Sequence, residues 1–145
     1  MKLPDVNLLV YAMDESTPQH RRAGPWLREV LSGEKTVGLA WNVILGFLRI
    51  STRAQVFSVP FSTSEALDVV DGWLQQPNVV VVQPTARHPA ILRGLLEAVG
   101  TAGNLTSDAH LAALAIEYGG EVCSADNDFR RFRGLRWTNP LDSLP

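Results

Sequence analysis

Residues 79–82 are four consecutive valines, bracketed by Asn78 and Gln83. Branching at Cβ favours a strand here. The run has no polar alternation, which predicts a strand buried on both faces, as in a parallel sheet with helices above and below it. The rest of the chain supplies matching pieces. KLPDV (2–6), TVGLA (36–40) and EVCSA (121–125) read as further short strands, and a last short strand is expected close to residue 137. Pro4 is awkward in the first of these, because proline cannot donate to a sheet ladder. Helical periodicity runs through 17–34, with a break or kink expected at Gly24-Pro25. It recurs at 41–52 (WNVILGFLRIST), a buried helix, and at 63–76, serine-capped with Leu67, Val70 and Leu74 on one face. Two more helices are expected at 87–100, ending at Gly100, and at 107–120, with Thr106 or Ser107 as cap. Residues 56–62 read as a loop, and 126–137 as a loop or short helix. Strands alternating with helices predict the α/β class: three layers, α/β/α, around a central, mostly parallel sheet. At 145 residues, one domain spanning 1–145 is expected. There is no internal repeat and no low-complexity segment.

Composition removes several functional classes. With 13 Lys and Arg against 15 Asp and Glu, the net charge of −2 argues against coating nucleic acid by bulk charge. The single Cys123 excludes an internal disulfide. No apolar run reaches the roughly 18 residues of a membrane span. No secretory pattern precedes Asp5, so the expected location is the cytoplasm, with no membrane association.

The informative residues are acids. In an open parallel sheet, ligands bind beyond the carboxyl ends of the strands. Asp5 falls at the end of the first strand, Asp126 just past EVCSA, Asp128 two residues on, and Asp108 at the head of the preceding helix. Each has a purely structural role available: Asp5 or Asp108 at a helix start, Asp126 and Asp128 in turn chemistry. Together they form a set of carboxylates expected at one end of one sheet. Crowded carboxylates must share protons or a cation. Oxygen-only ligands suit Mg²⁺ or Mn²⁺, and no histidine or cysteine is placed for zinc.

The segments DVNLLVYA (5–12), LRIST (48–52), GNLTSDAHLAALAIEYG (103–119) and SADNDFRRF (124–132) resemble the PIN-domain family, and more closely the VapC-type toxins of bacterial toxin–antitoxin pairs. The resemblance spans about Lys2 to Pro140. It implies a PIN-like fold and a Mg²⁺-dependent endoribonuclease, with Mn²⁺ as a second metal that serves. The family's acidic site falls on Asp5, Asp108 and Asp126, with Asp128 as a fourth metal ligand, and Asn7 and Ser124 match polar positions that support the acids. It also implies a cognate antitoxin and a homodimer, with exposed apolar residues on the first helices serving either contact. One position departs from the family: a glutamate is usual near residues 45–47, and this chain has Gly46, with no acid between Glu34 and Glu65. Gly46 motivates the alternative, a catalytically weak or inactive PIN-fold binding module acting through RNA or a partner protein.

Arg49, Arg53, Arg130 and Arg131 are candidates for RNA contact, and Arg133 and Arg136 extend the last cluster. His20, His88 and His110 share no ligand spacing and read as structural or surface residues. The four tryptophans read as core, with Trp137 the exception to watch because it follows the arginines. A phospho-acceptor or phosphatase of another α/β class fits poorly. Asp5 stands alone, the motif is DVN rather than D-x-D, and Lys2 and Lys35 are the only lysines.

Overall fold

The computed structural model describes residues 1–142, so the last three positions of the expected domain lie outside the described residues. Five strands, β1 (Lys2–Pro4), β2 (Val37–Ala40), β3 (Val79–Val82), β4 (Glu121–Cys123) and β5 (Arg136–Thr138), form one sheet in the order β3-β2-β1-β4-β5. Every pairing is parallel. The first two crossovers, through α1 (Val6–Met13) and α2 (His20–Ser32), then through α3 (Trp41–Ser51) and α4 (Thr63–Leu74), step one way along the sheet. The third, through α5 (His88–Val99) and α6 (Thr106–Glu117), returns past β1 to β4. Right-handed crossovers in opposite directions put the helices on opposite faces. The expected three layers result, with α1 packed on α2 and α3, and α5 on α6. The direction reverses between β1 and β4, which opens a crevice at their carboxyl ends.

α6 is buried almost all round. Ala109 and the run Leu111–Ala115 are inaccessible or nearly so. Alanines let it lie close to α5, β1 and β4. Across the sheet, Phe47 and Trp73 pack ring against ring at 4.7 Å.

Several expectations need correction. The valine strand is not buried on both faces. β3 is an edge strand and Val80 is 42% exposed. Pro4 does occur in a central strand, and the ladder shows its effect. Lys2 donates to the Thr36 carbonyl, and pairing between β1 and β2 stops at Lys2, while β1 and β4 pair through Pro4. Alternation along a strand turns the missing N–H of Pro4 toward β2. Pro25 does not break α2. It forfeits one backbone bond inside a continuous helix that the His20 ring ties to the Tyr11 carbonyl. In α4 the cap is Ser62, which forms a reciprocal capping box with Glu65. Its buried face is Ala66, Val70 and Trp73, and Leu67 is 44% exposed. The α3 helix is buried on one side only, with Trp41 and Leu45 47% and 59% exposed. Trp41 is therefore not a core tryptophan. Among the described residues, the exposed large apolar side chains include Trp41 and Leu45 on α3, Val56 and Val59 after it, and Leu67 on α4. None of them lies on α1 or α2, where a partner contact was expected.

Candidate metal centre

β1 ends at Pro4, and the Asp5 N–H donates to the Cys123 carbonyl, which locks the two strand ends together. Asp5 then caps α1, its Oδ1 accepting from the Val6 N–H at 2.7 Å. Its Oδ2 accepts from the Ser124 hydroxyl at 2.7 Å and the Asn7 amide at 3.0 Å. The Asn7 amide also donates to Ser124 Oγ, and its carbonyl accepts from the Ala125 N–H. Ser124 Oγ accepts from the Asp126 N–H at 3.0 Å. Asn7 and Ser124 thus join the ends of β1 and β4 through one carboxylate. Asp126 caps a 3-10 turn (Asn127–Arg131), accepting from the Asp128 N–H at 2.8 Å. Asp108 stands in the first turn of α6. Neither Thr106 nor Ser107 caps that helix. It grows out of a preceding 3-10 turn (Gly103–Leu105), and Thr106 instead bonds the Gly103 carbonyl.

The result is a group of three acids, Asp108, Asp126 and Asp128, each offering an oxygen within 4.8 Å of the others. Asp128, which turn chemistry alone could account for, belongs to this group. Asp5 lies outside it, with both oxygens already accepting hydrogen bonds. Among the described residues, no donor reaches the Asp108 carboxylate, and none of the three ion pairs (Lys2–Glu121, His88–Glu117, Arg93–Glu97) involves these acids. The electrostatics follow. Burial first, then the charges of Asp5, Asp126 and Asp128, push the Asp108 carboxyl up to about 7. Burial also raises Asp5, against the pull of the Ser124 and Val6 hydrogen bonds, and Asp126 adds to the rise. Negative charge at this end of the sheet is left uncompensated by protein groups, and every available donor atom is oxygen. Such a set fits a hard divalent cation.

A match to the PIN-domain family covers residues 2–135. This chain belongs to the PIN-domain family. The PIN domain here is 47% identical to ribonuclease VapC33 of Mycobacterium tuberculosis over 141 residues, covering 97% of this chain and 99% of that one. It is 44% identical to ribonuclease VapC37 of the same organism over 140 residues, 97% of each chain. In fold it is similar to VapBC2 from Rickettsia felis, solved bound to a DNA fragment from their promoter, at TM-score 0.67 and 18% identity over 95% of this chain and 97% of that one. FitAcB from Neisseria gonorrhoeae gives 0.66 and 17% over 99% and 100%.

The remaining sequence candidates make no ion pair with the acids among the described residues. Arg49 lines a groove between α3 and α4 with Leu48, Thr63 and Leu67. Arg53 and Arg131 are exposed. The Arg136 guanidinium donates to the Gly119 carbonyl, and that of Arg130 lies over the Trp137 ring. Gly46 faces α1. A Cβ there would meet Val6 Cγ2 at 3.1 Å, so the glycine lets α3 approach the turn that begins at Asp5.

Sequence reasoning missed one polar cluster. His88 and His110 meet, Nε2 to Nδ1 at 3.0 Å, and His88 Nδ1 contacts the buried Glu117 carboxylate at 2.5 Å. Thr85 donates to the same carboxylate from its N–H and hydroxyl. Histidines 22 residues apart carry no periodic signal. Only the docking of α5 on α6 joins them.

Proposed function

We propose that this chain is a metal-dependent endoribonuclease acting as the toxin of a toxin–antitoxin pair, with Mg²⁺, or Mn²⁺ in its place, held by Asp5, Asp108, Asp126 and Asp128. The observation that carries it is the uncompensated trio Asp108–Asp126–Asp128, backed by Asp5, at the crevice between β1 and β4. Kinship to VapC ribonucleases at up to 47% identity supports the choice of RNA.

In this reading the trio and Asp5 hold the ion, and Asn7 and Ser124 fix the Asp5 carboxylate in place. Without a cation, Asp108 is protonated about half the time near pH 7. When bound, the ion supplies Lewis acidity that activates water and offsets the charge growing on the phosphodiester. The chain's own work is to keep four carboxylates at fixed positions, so that little reorganisation is needed at the moment of reaction. Arg49, Arg53, Arg130 and Arg131 contact the RNA backbone or bases. A cognate antitoxin, and a second copy of the chain in a homodimer, cover the apolar side chains of α3 and α4. The VapBC assemblies with the same fold support that part of the proposal.

Cleavage of a structured RNA pool by purified protein, with Mg²⁺, Mn²⁺ or EDTA, tests the activity. Metal-dependent cleavage lost in Asp5→Ala is the expected outcome, and full activity of that mutant overturns it. Gly46 supports a second reading, a PIN-fold binding module without turnover. It predicts RNA or partner binding with no cleavage at any metal concentration.

A further inference from the structure

The 3-10 turn that carries Asp128 also carries Arg130. An arginine two residues from a group of unpaired acids would ordinarily neutralise one of them. Arg130 does not: it makes no ion pair among the described residues. Its guanidinium carbon lies 5.2 Å from the centre of the Trp137 ring. The ring is itself fixed. Trp137 sits in β5 opposite Val122 of β4, and its indole N–H donates to the Ser124 carbonyl at 3.2 Å. Ser124 is the residue whose hydroxyl binds Asp5 and the Asp126 N–H. The aromatic ring, the arginine above it and the acidic centre are therefore tied to one residue.

We propose that Arg130, laid over Trp137, is a stacking platform for an unpaired nucleobase of the RNA beside the acidic centre. The inference rests on the ribonuclease reading and extends it. A guanidinium is flat and has two faces. The guanidinium of Arg130 lies over the indole, and the residue is exposed to solvent, so a base can reach it. Unpaired bases stack on arginine planes as they do on aromatic rings. Pinning the long side chain on Trp137 in the free protein lowers the entropy lost when a base arrives. The indole N–H is spent on Ser124, so Trp137 reads no base edge. The platform accepts any base, and sequence preference arises elsewhere.

The alternative role for Arg130 is a phosphate contact. Lysine can also make that contact, but lysine has no plane to stack on. The test is fluorescence anisotropy with a short, labelled, mixed-sequence single-stranded RNA and an abasic ribose-phosphate chain of the same length. It is run with Mg²⁺ in an Asp126→Asn background, where the amide oxygen keeps the cap on the 3-10 turn. Trp137 is left intact because it holds Ser124. The parent should bind the RNA about tenfold more tightly than the abasic chain. Arg130→Lys and Arg130→Ala should bind the two alike, at the weaker level. The platform is overturned if Arg130→Lys keeps the parent's preference, or if the abasic penalty is as large in Arg130→Ala as in the parent. If wild-type protein cleaves RNA and only this coupling is missing, the platform alone fails. If wild-type protein neither binds nor cleaves RNA, the nuclease reading fails and takes the platform with it.

Discussion

Helix α6 carries two acids at its two ends, and they live in opposite circumstances. The Glu117 side chain is shielded from solvent, yet that cost is outweighed by the Thr85 and His88 hydrogen bonds, which hold its carboxyl below the usual range. Asp108 receives no hydrogen bond and faces three other acids, so its carboxyl rises to about 7. A buried carboxylate with donors is a structural element that clips α6 to α5 and to the loop after β3. A carboxylate starved of donors and crowded by like charge destabilises the fold until something positive binds. The difference separates a polar cluster that holds the fold together from the one proposed to do the chemistry.

The sharpest way to break this contrast is to exchange the effects of the two acids. Asp108→Asn should lower RNA cleavage by roughly 100-fold or more while raising the melting temperature of the metal-free protein at pH 8. Glu117→Ala should do the reverse. It leaves His88 Nδ1 and the Thr85 N–H and hydroxyl without their carboxylate, at about 2–3 kcal/mol. The melting temperature then drops by roughly 5–10 °C, while kcat stays within about threefold of wild type. Thermal denaturation and cleavage kinetics on both variants check the pair. A Glu117→Ala protein that folds normally but has lost catalysis would erase the distinction.

The two acids also predict opposite pH slopes. Asp108 has a raised carboxyl, so its contribution to stability is complete below its ordinary 3.8 and is lost as pH climbs through about 7. Because the group is only half buried, solvent screening leaves about 1–2 kcal/mol of that effect. Glu117 is lowered, so its contribution is present above its ordinary 4.5 and is lost as pH falls through its folded value. Metal-free protein should therefore lose stability relative to Asp108→Asn as pH rises from about 4 to 7, a comparison that leaves out the opposite contribution of His110, and saturating Mg²⁺ should remove that loss. Denaturant melts across this range provide the check. The smallest effect belongs to Gly46. Its added Cβ meets Val6 at 3.1 Å, so Gly46→Glu should cost about 1 kcal/mol and change the cleavage rate by no more than a few-fold. A large gain in rate would mean that the acids at the β1–β4 crevice are an incomplete set.

Much of this contrast is legible in the sequence alone. Asp5, Asp108 and Asp126 fall at strand ends and a helix start, where the topology rule for parallel sheets puts ligands. Asp128 is harder to read because DND is ordinary turn chemistry, yet one residue can both shape the turn and join the acidic group. The Glu117 cluster was invisible because His88 and His110 meet only through helix packing. The valine run identified a strand correctly but not its place in the sheet. Four β-branched residues carry no period, and only topology leaves Val80 on an edge. Helical spacing puts Leu67 on one face with Val70 and Leu74, and the α4 stripe that packs is the neighbouring one through Ala66, Val70 and Trp73.

The most direct test of the acidic centre is calorimetric titration of Mn²⁺ into protein freed of any antitoxin, at pH 6 and pH 8 in buffers of different ionisation enthalpy. Binding should be tighter at pH 8, should release close to one proton at pH 6 as the ion displaces it from Asp108, and should be weakened in Asp108→Asn. Folded protein that binds no Mn²⁺ at either pH, or binds it equally well with Asp108 replaced, would contradict a cation site built on these acids.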